Sequence, residues 1–559
     1  MRVVVTAYRI TSALVHGSSA AVIENARHDC IAHCAVALSN DSCDLRDESC
    51  IQALTIGSDQ AEPARVEWLG LVETFERSER LASVVHTSPG ARVAQIQLLL
   101  GLCYATGVYP RTLRQWLEWN RERRPLEEVA ERLRSSDFDG LLDVTHPEHP
   151  FGQNRLLAPF LEAHGYGPAQ LSVERCGDYN QLFDHMHLHD PEPMPVEEAV
   201  VAMLTQHAYG LGGRMRAKVD WQGRAFTFGS VGRLGARVHT LALGETLADT
   251  LRLNLMPFPK DPGETFGGFN FSWTRGPERR SFTGAGAQRR RTPMGPADLH
   301  SVLGRSVLLR PVRTSQGRLV VDRVLMGAGE LLEPLRPQWM PDAVMDGDRP
   351  LQPSADKALW RDAHALYAAC GARTANADLY SRLARLERPV TLWSVGLVAK
   401  QRAVTGWVTG TFPYAPGRAD ALHAVSGDAV QWSQYVASAV SRAAAVARDI
   451  AYPNARPEER ASLLARFDPG GALWARFEEP FHLMLAAVAG GERGAVEENA
   501  RQEFAAELVH AARQALTERL RSLPGHGHGR QARMSATARL ESELTRKSTP
   551  HHLKEAAAA

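Results

Sequence analysis

Apolar residues set the first boundaries along this chain. From about Val66 they recur at helical spacing, through Leu69, Leu71 and Val72, then Ile96, Leu98, Leu99 and Leu100. Beyond a break at Pro110 come Leu113, Trp116, Leu117 and Trp119. Residues three and four apart share a helix face, so this region predicts core-forming helices. Between Gly212 and Ala343 the texture changes to short β-branched or aromatic runs, Ala225 to Phe228, Ser306 to Leu309 and Arg318 to Val324, separated by Gly and Pro. Such runs predict strands joined by long loops. After Asp428 the helical period returns with Trp432, Tyr435, Val436 and Val440, then Leu473, Phe477, Phe481 and Met484, then Phe504, Leu508, Ala511, Ala512, Leu516 and Leu520. Pro453, Pro469 to Gly471, and Gly490 with Gly491 punctuate it. Amphipathic helices joined by short loops pack antiparallel, which predicts a bundle of about four.

The expected fold class is therefore α+β. A large mixed N-terminal domain with short strands and long loops spans 43–420, and a C-terminal helical bundle spans 428–522. Residues 1–42 lack an amphipathic period and read as an extension, and 523–559, opening on Gly525-His526-Gly527-His528-Gly529, reads as a disordered tail. At 559 residues the chain exceeds what one hydrophobic core comfortably supports, which agrees with at least two domains.

Composition changes this picture little. Hydrophobic residues at 44% and charged residues at 23% are the balance of a globular protein. A net charge of +1 excludes a wholly basic coat, so any nucleic-acid contact has to come from local patches. The only lysines are Lys218, Lys260, Lys357, Lys400, Lys547 and Lys554, which makes the cationic surface one of planar forked guanidinium donors. No apolar run of membrane-spanning length occurs, and seven scattered cysteines without a secretory signal read as reduced thiols in the cytoplasm.

Candidate chemistry begins with Asp184-His185-Met186-His187-Leu188-His189-Asp190. Its alternating imidazoles could hold a metal with Glu192 as base, as in a metal-dependent nucleic-acid hydrolase. The flanking Pro191, Pro193 and Pro195 make the stretch a loop in which solvated histidines are the simpler reading. In the N-terminal extension, His28, Cys30, His33 and Cys34 have no distal pair at zinc-finger spacing. No phosphate-binding glycine loop ending in Lys-Ser or Lys-Thr, no His-Glu-x-x-His and no Gly-x-Ser-x-Gly is present, so no catalytic residue, metal ligand or cofactor is assigned. Gly210-Leu211-Gly212-Gly213 reads either as a helix C-cap or as backbone able to approach a nucleic acid closely. Between Gly268 and Arg291, six arginines (Arg275, Arg279, Arg280, Arg289, Arg290 and Arg291) face one acid, Glu278. Phe269, Phe271, Trp273 and Phe282 are interleaved, the composition of a nucleic-acid-contacting loop or of a plain solvated basic one.

Several segments together resemble the CasA family, the large subunit of type I-E CRISPR Cascade complexes, over roughly Cys43 to Leu520. The most specific is Thr145-His146-Pro147-Glu148-His149-Pro150-Phe151-Gly152-Gln153, similar to the family's His-x-x-His-Pro-Phe-x-Gln signature. Leu204-Thr205-Gln206, Gly210 to Gly213, Gly244-Glu245-Thr246-Leu247 and Thr250-Leu251-Arg252-Leu253-Asn254 follow in the family's order. Gly295 to Leu299, Ala358 to Arg361, and Gly396 followed by Lys400 to Ala403 come later in the same order. The family's opening Pro-Trp is replaced here by Ser49-Cys50.

The resemblance implies a protein without catalytic chemistry of its own. Its partners would be a crRNA, double-stranded target DNA, other Cascade subunits and a recruited helicase-nuclease, with no membrane. The subunit would read the short motif beside the target (the PAM) while base pairing reads the sequence. Carried over by position, Gly210, Leu211, Gly212 and Gly213 approach the minor groove at the PAM, and Phe183 lies against the crRNA 5′ handle. Gln401, with Lys400 beside it, forms a wedge at the tip of a hairpin or tight loop between Val395 and Trp407. The family's lysine finger has no lysine to fill it between Lys260 and Lys357, so that role is vacant or has passed to an arginine. The bundle would help to hold DNA and dock the nuclease.

Overall fold

The computed structural model describes residues 42–57, 63–175, 191–214, 228–259, 265–276, 290–334, 339–346, 349–371, 378–400, 403–491 and 494–559. Its first element is a small antiparallel sheet. Strand β1 (Ile51–Thr55) lies between β2 (Val66–Leu69) and β3 (Leu81–Val84). Val66 to Leu69 is thus a strand and not the start of a helix; four residues fit either period, and pairing of Ile51 with Leu69 decides between them. The segment before β1 is stitched down through Cys43 N to Asp143 Oδ1 at 3.1 Å and Cys50 N to Leu69 O at 3.0 Å. Cys43 and Cys50 are both buried, and burial followed by the nearby carboxylates Glu48 and Asp143 pushes the Cys43 thiol up to about 12. Cys50 therefore fills core space.

Helix α1 (Pro89–Ala105) is the axis of the first core. Ser88 caps it, its hydroxyl accepting from Ala91 N, and almost every residue along it is buried. A helix apolar all round belongs inside a protein. Against it pack α2 (Val196–Tyr209), α3 (Leu247–Asn254) and a hairpin described below, and the hairpin of β4 (Arg305–Arg313) and β5 (Leu319–Ala328) packs in turn on α2. Gln153, Asn154, Gln206 and Asn254 act here as internal polar staples. Gln153 is 1% exposed; its Nε2 donates to Val144 O at 2.8 Å and its Oε1 accepts from Leu309 N at 2.9 Å, while Asn154 N donates to Val307 O at 2.7 Å. Together they close the open edge of β4, which would otherwise present unpaired backbone groups. Gln206 Nε2 donates to Leu171 O at 2.9 Å, and the Asn254 side chain exchanges two hydrogen bonds with the backbone of Ala242.

The C-terminal half is helical as its period predicts. Helices α4 (Ala419–Ala451), α5 (Pro457–Phe467), α6 (Gly471–Gly490) and α7 (Ala495–Leu520) form the bundle, breaking at the Pro and Gly positions read from the sequence. The expected disordered tail is instead two further helices, α8 (Gly527–Thr545) and α9 (His551–Ala558). Ala532, Ala536, Leu540 and Leu544 recur every four residues and are buried against the bundle, as is Leu553. Glu543, 2% exposed, receives Arg442 at 2.8 Å, Arg539 at 2.6 Å and Arg546 at 3.0 Å. The polar composition that suggested disorder is thus tied up in ion pairs, with a narrow alanine and leucine stripe facing inward. The chain changes from mixed to helical near Ala419, but its packing does not divide there: the second core draws on Trp116, Val238, Leu253 and Tyr367 as well as on the bundle.

Candidate nucleic-acid interface

The glycine segment begins at the C-terminus of α2, where Gly210 caps the helix and donates its N–H to Gln206 O. Both readings of that segment, cap and close-approach loop, are therefore compatible with its position. What holds it is Arg305 at the start of β4. This arginine is 2% exposed and donates to Leu211 O at 2.5 Å, Ser230 O at 2.8 Å and Gly304 O at 2.6 Å. A Cβ on Gly210 would come within 2.5 Å of the Arg305 Nε, so only glycine lets the guanidinium lie this close. Leu211, Gly212 and Gly213 are half-buried, with Gly212 against Val231 and Gly213 paired to Gly229.

Lys400 closes a long antiparallel hairpin. Strand β6 (Val390–Lys400) pairs with β7 (Ala403–Tyr414) from Val390 opposite Tyr414 to Lys400 opposite Ala403, leaving a two-residue connection at 401–402. Gln401 itself lies outside the described residues. The hairpin is rooted by Trp407, whose Nε1 donates to Glu174 Oε1 at 2.7 Å and whose ring meets Tyr209 edge-on, 4.8 Å between centroids. A Cβ on Gly90 would overlap that indole, so the first turn of α1 is open for it. Burial alone would raise the Glu174 carboxyl, but hydrogen bonds from Ser88 and Trp407 hold it below the usual carboxylate range, as an anion. Tyr209 immediately precedes Gly210. The root of the hairpin and the root of the glycine segment are thus in direct contact across about two hundred residues of sequence.

The basic run is rearranged relative to expectation. Arg275 and Arg290 are exposed, Arg290 donating to Leu332 O at 3.1 Å, while Arg279, Arg280 and Arg289 lie outside the described residues. Arg291 does not belong to a surface patch. Its side chain is 12% exposed and is paired to Asp298 at 2.6 Å and Glu330 at 2.9 Å, both fully buried. These two carboxylates hold its pKa above the ordinary value although burial opposes them. Phe269, Phe271 and Trp273 are core residues and not stacking platforms; Phe271 packs edge-on against Phe138 and Phe266. Phe183 and the histidines 185, 187 and 189 also lie outside the described residues. Among the described residues no group of three metal-capable side chains converges, and no helix is long and apolar enough to cross a membrane. Arg305 and Tyr209 escaped the sequence reading, which named Trp407 only as one end of the hairpin. An arginine opening an apolar strand run directly after Gly304 was the one available signal.

With the geometry in view, the comparisons with known proteins are specific. Residues 57–515 match the sequence model of the family described as CRISPR-associated protein Cse1. No curated protein matches the chain. Among solved structures, CasA of Thermus thermophilus is similar with a TM-score of 0.67 and 20% identity, over 90% of this chain and 99% of that one. Cse1 of Acidimicrobium ferrooxidans is similar with a TM-score of 0.67 and 19% identity, over 93% and 99%. A chain of a CRISPR RNA-guided surveillance complex is similar with a TM-score of 0.65 and 19% identity, over 89% and 99%.

Proposed function

Because this chain belongs to the Cse1 family of CRISPR-associated proteins, we propose that it is the large subunit of a crRNA-guided antiviral surveillance complex. In that role it recognises the PAM in double-stranded target DNA, helps to open the duplex for R-loop formation, and recruits a separate helicase-nuclease, without catalysing a reaction itself. The observation that carries the reading is the contact of Trp407 with Tyr209, which joins the hairpin whose first strand ends at Lys400 to the segment Gly210 to Gly213. Two elements that must act on adjacent base pairs need a rigid common base, since a placement error near 1 Å is enough to lose a contact. Gln suits the hairpin tip because its amide both donates to and accepts from exposed base edges. Opening the first pair costs of order a few kcal/mol, partly offset by a side chain that takes the vacated place.

Tagged protein is expected to recover a crRNA of uniform length together with several smaller subunits. In that complex Gln401→Ala should slow R-loop formation on fully paired targets and do much less on targets already mismatched beside the PAM. Equal slowing on both substrates would reduce Gln401 to a source of general affinity, and recovery of neither RNA nor partner subunits would overturn the assignment to a complex.

A further inference from the structure

Two small adjoining cavities, about 40 and 30 Å³, lie beside α1 and share Gln97, Arg233, Leu299 and His300 in their walls. They have room for a handful of water-sized atoms. Gln97 Oε1 accepts from Arg233 Nη2 at 2.5 Å and lies 2.5 Å from His300 Nδ1. Among the described residues that is the one hydrogen bond Arg233 makes, and its guanidinium, with five donors, lines both cavities. Asp342, in the wall of the second cavity, is the carboxylate that acts on Arg233, but its hydrogen bond goes to Arg237 Nη2 at 2.9 Å. Arg237 is 3% exposed, and its Nε and Nη1 are buried without a hydrogen-bond partner among the described residues. Two guanidinium groups thus share one carboxylate. Burial pushes Arg233 down to about 10 in spite of Asp342, and burial together with the Arg233 charge pushes His300 down to about 3, keeping it neutral.

We propose that these cavities form an internal anion site, in which Arg233, backed by Arg237, holds one small inorganic anion of chloride to phosphate size. Water could accept the spare hydrogen bonds, but it cannot offset the excess positive charge beside the buried Arg237, and an uncompensated buried ion is strongly unfavourable. The site adjoins the root of the glycine segment, since Gly232, next to Arg233, donates its N–H to Gly210 O at 2.8 Å, but the inference does not depend on the proposed function.

The test is thermal unfolding of the full chain at constant ionic strength, starting in gluconate, which is too large for the cavity, and replacing it with chloride in one arm and inorganic phosphate in the other. The unfolding temperature is expected to rise with the logarithm of anion concentration above the dissociation constant. A response to chloride alone identifies a halide site, and a response to phosphate an oxyanion site. Gln97→Glu supplies a covalent carboxylate next to Arg233 and should raise the unfolding temperature in gluconate while abolishing the anion response. Arg233→Gln should abolish the response too, and if that variant does not fold, Gln97→Glu still decides. A flat response in the parent protein, or a full response surviving in Gln97→Glu, overturns the proposal.

Discussion

Replacing Gln153 with alanine tests whether the last residue of the His-x-x-His-Pro-Phe-x-Gln signature serves the fold or the ligand. Its carboxamide is buried, donating to Val144 O at 2.8 Å and accepting from Leu309 N at 2.9 Å. Truncation strands one buried acceptor and one buried donor, at about 1–3 kcal/mol each, and leaves a small void behind the edge of β4. The expected loss is about 3–5 kcal/mol, toward the low end if water enters. Gln153→Glu keeps the acceptor for Leu309 N but sets a carboxylate oxygen against Val144 O. It should be destabilised to a similar degree near neutral pH and recover in acid, where protonation restores a donor. Equilibrium urea unfolding of the three proteins measures this through the midpoint, provided the slopes agree. A loss under about 1 kcal/mol in Gln153→Ala, with target binding impaired, would refute the reasoning and move the signature from the fold to the interface.

Arg305→Gln removes the donors that hold Leu211 O, Ser230 O and Gly304 O, so it should weaken PAM-dependent DNA binding by roughly tenfold or more, equivalent to about 1.4 kcal/mol, while assembly on crRNA is retained. Arg305→Lys should rescue little, because a single ammonium cannot span three carbonyls, and filter binding at fixed salt compares the variants. Acid should destabilise the protein through His239 and His300, each pushed down to about 3 by burial from an ordinary 6.5. The unfolded chain binds those protons first as pH falls, so stability is full above about 6.5 and declines below it. The slope is up to about 1.4 kcal/mol per histidine per pH unit, readable as the urea midpoint between pH 7 and pH 5.

Much of the architecture was legible because burial on helices is periodic and local. Trp432, Val436 and Val440, or Phe477, Phe481 and Met484, announce a buried face with no knowledge of what covers it. The hairpin around Lys400 was legible for a similar reason, bracketed by glycines over a span short enough for a turn. The same periodicity could not place Val66 to Leu69, where helix and strand readings coincide until Ile51 pairs across. Nor could it recover α8 and α9, whose apolar stripe is only alanines and leucines among many charges.

What the sequence by itself determined is the family, the helical half and the order of the candidate segments. Which side of the fold a residue faces was decided only in three dimensions. Between Gly268 and Arg291, arginines and aromatics alternate as they would in a loop that grips nucleic acid, yet Phe269, Phe271 and Trp273 turn inward and Arg291 closes a buried ion pair with Asp298 and Glu330. Composition records which groups a segment carries and not which partners reach it. The clamp of Arg305 on Leu211 and the contact of Trp407 with Tyr209 depend on residues far apart along the chain. Local pattern carries no trace of such pairs, because a hydrogen bond or a ring contact between distant segments exists only once the intervening chain has folded to bring them together.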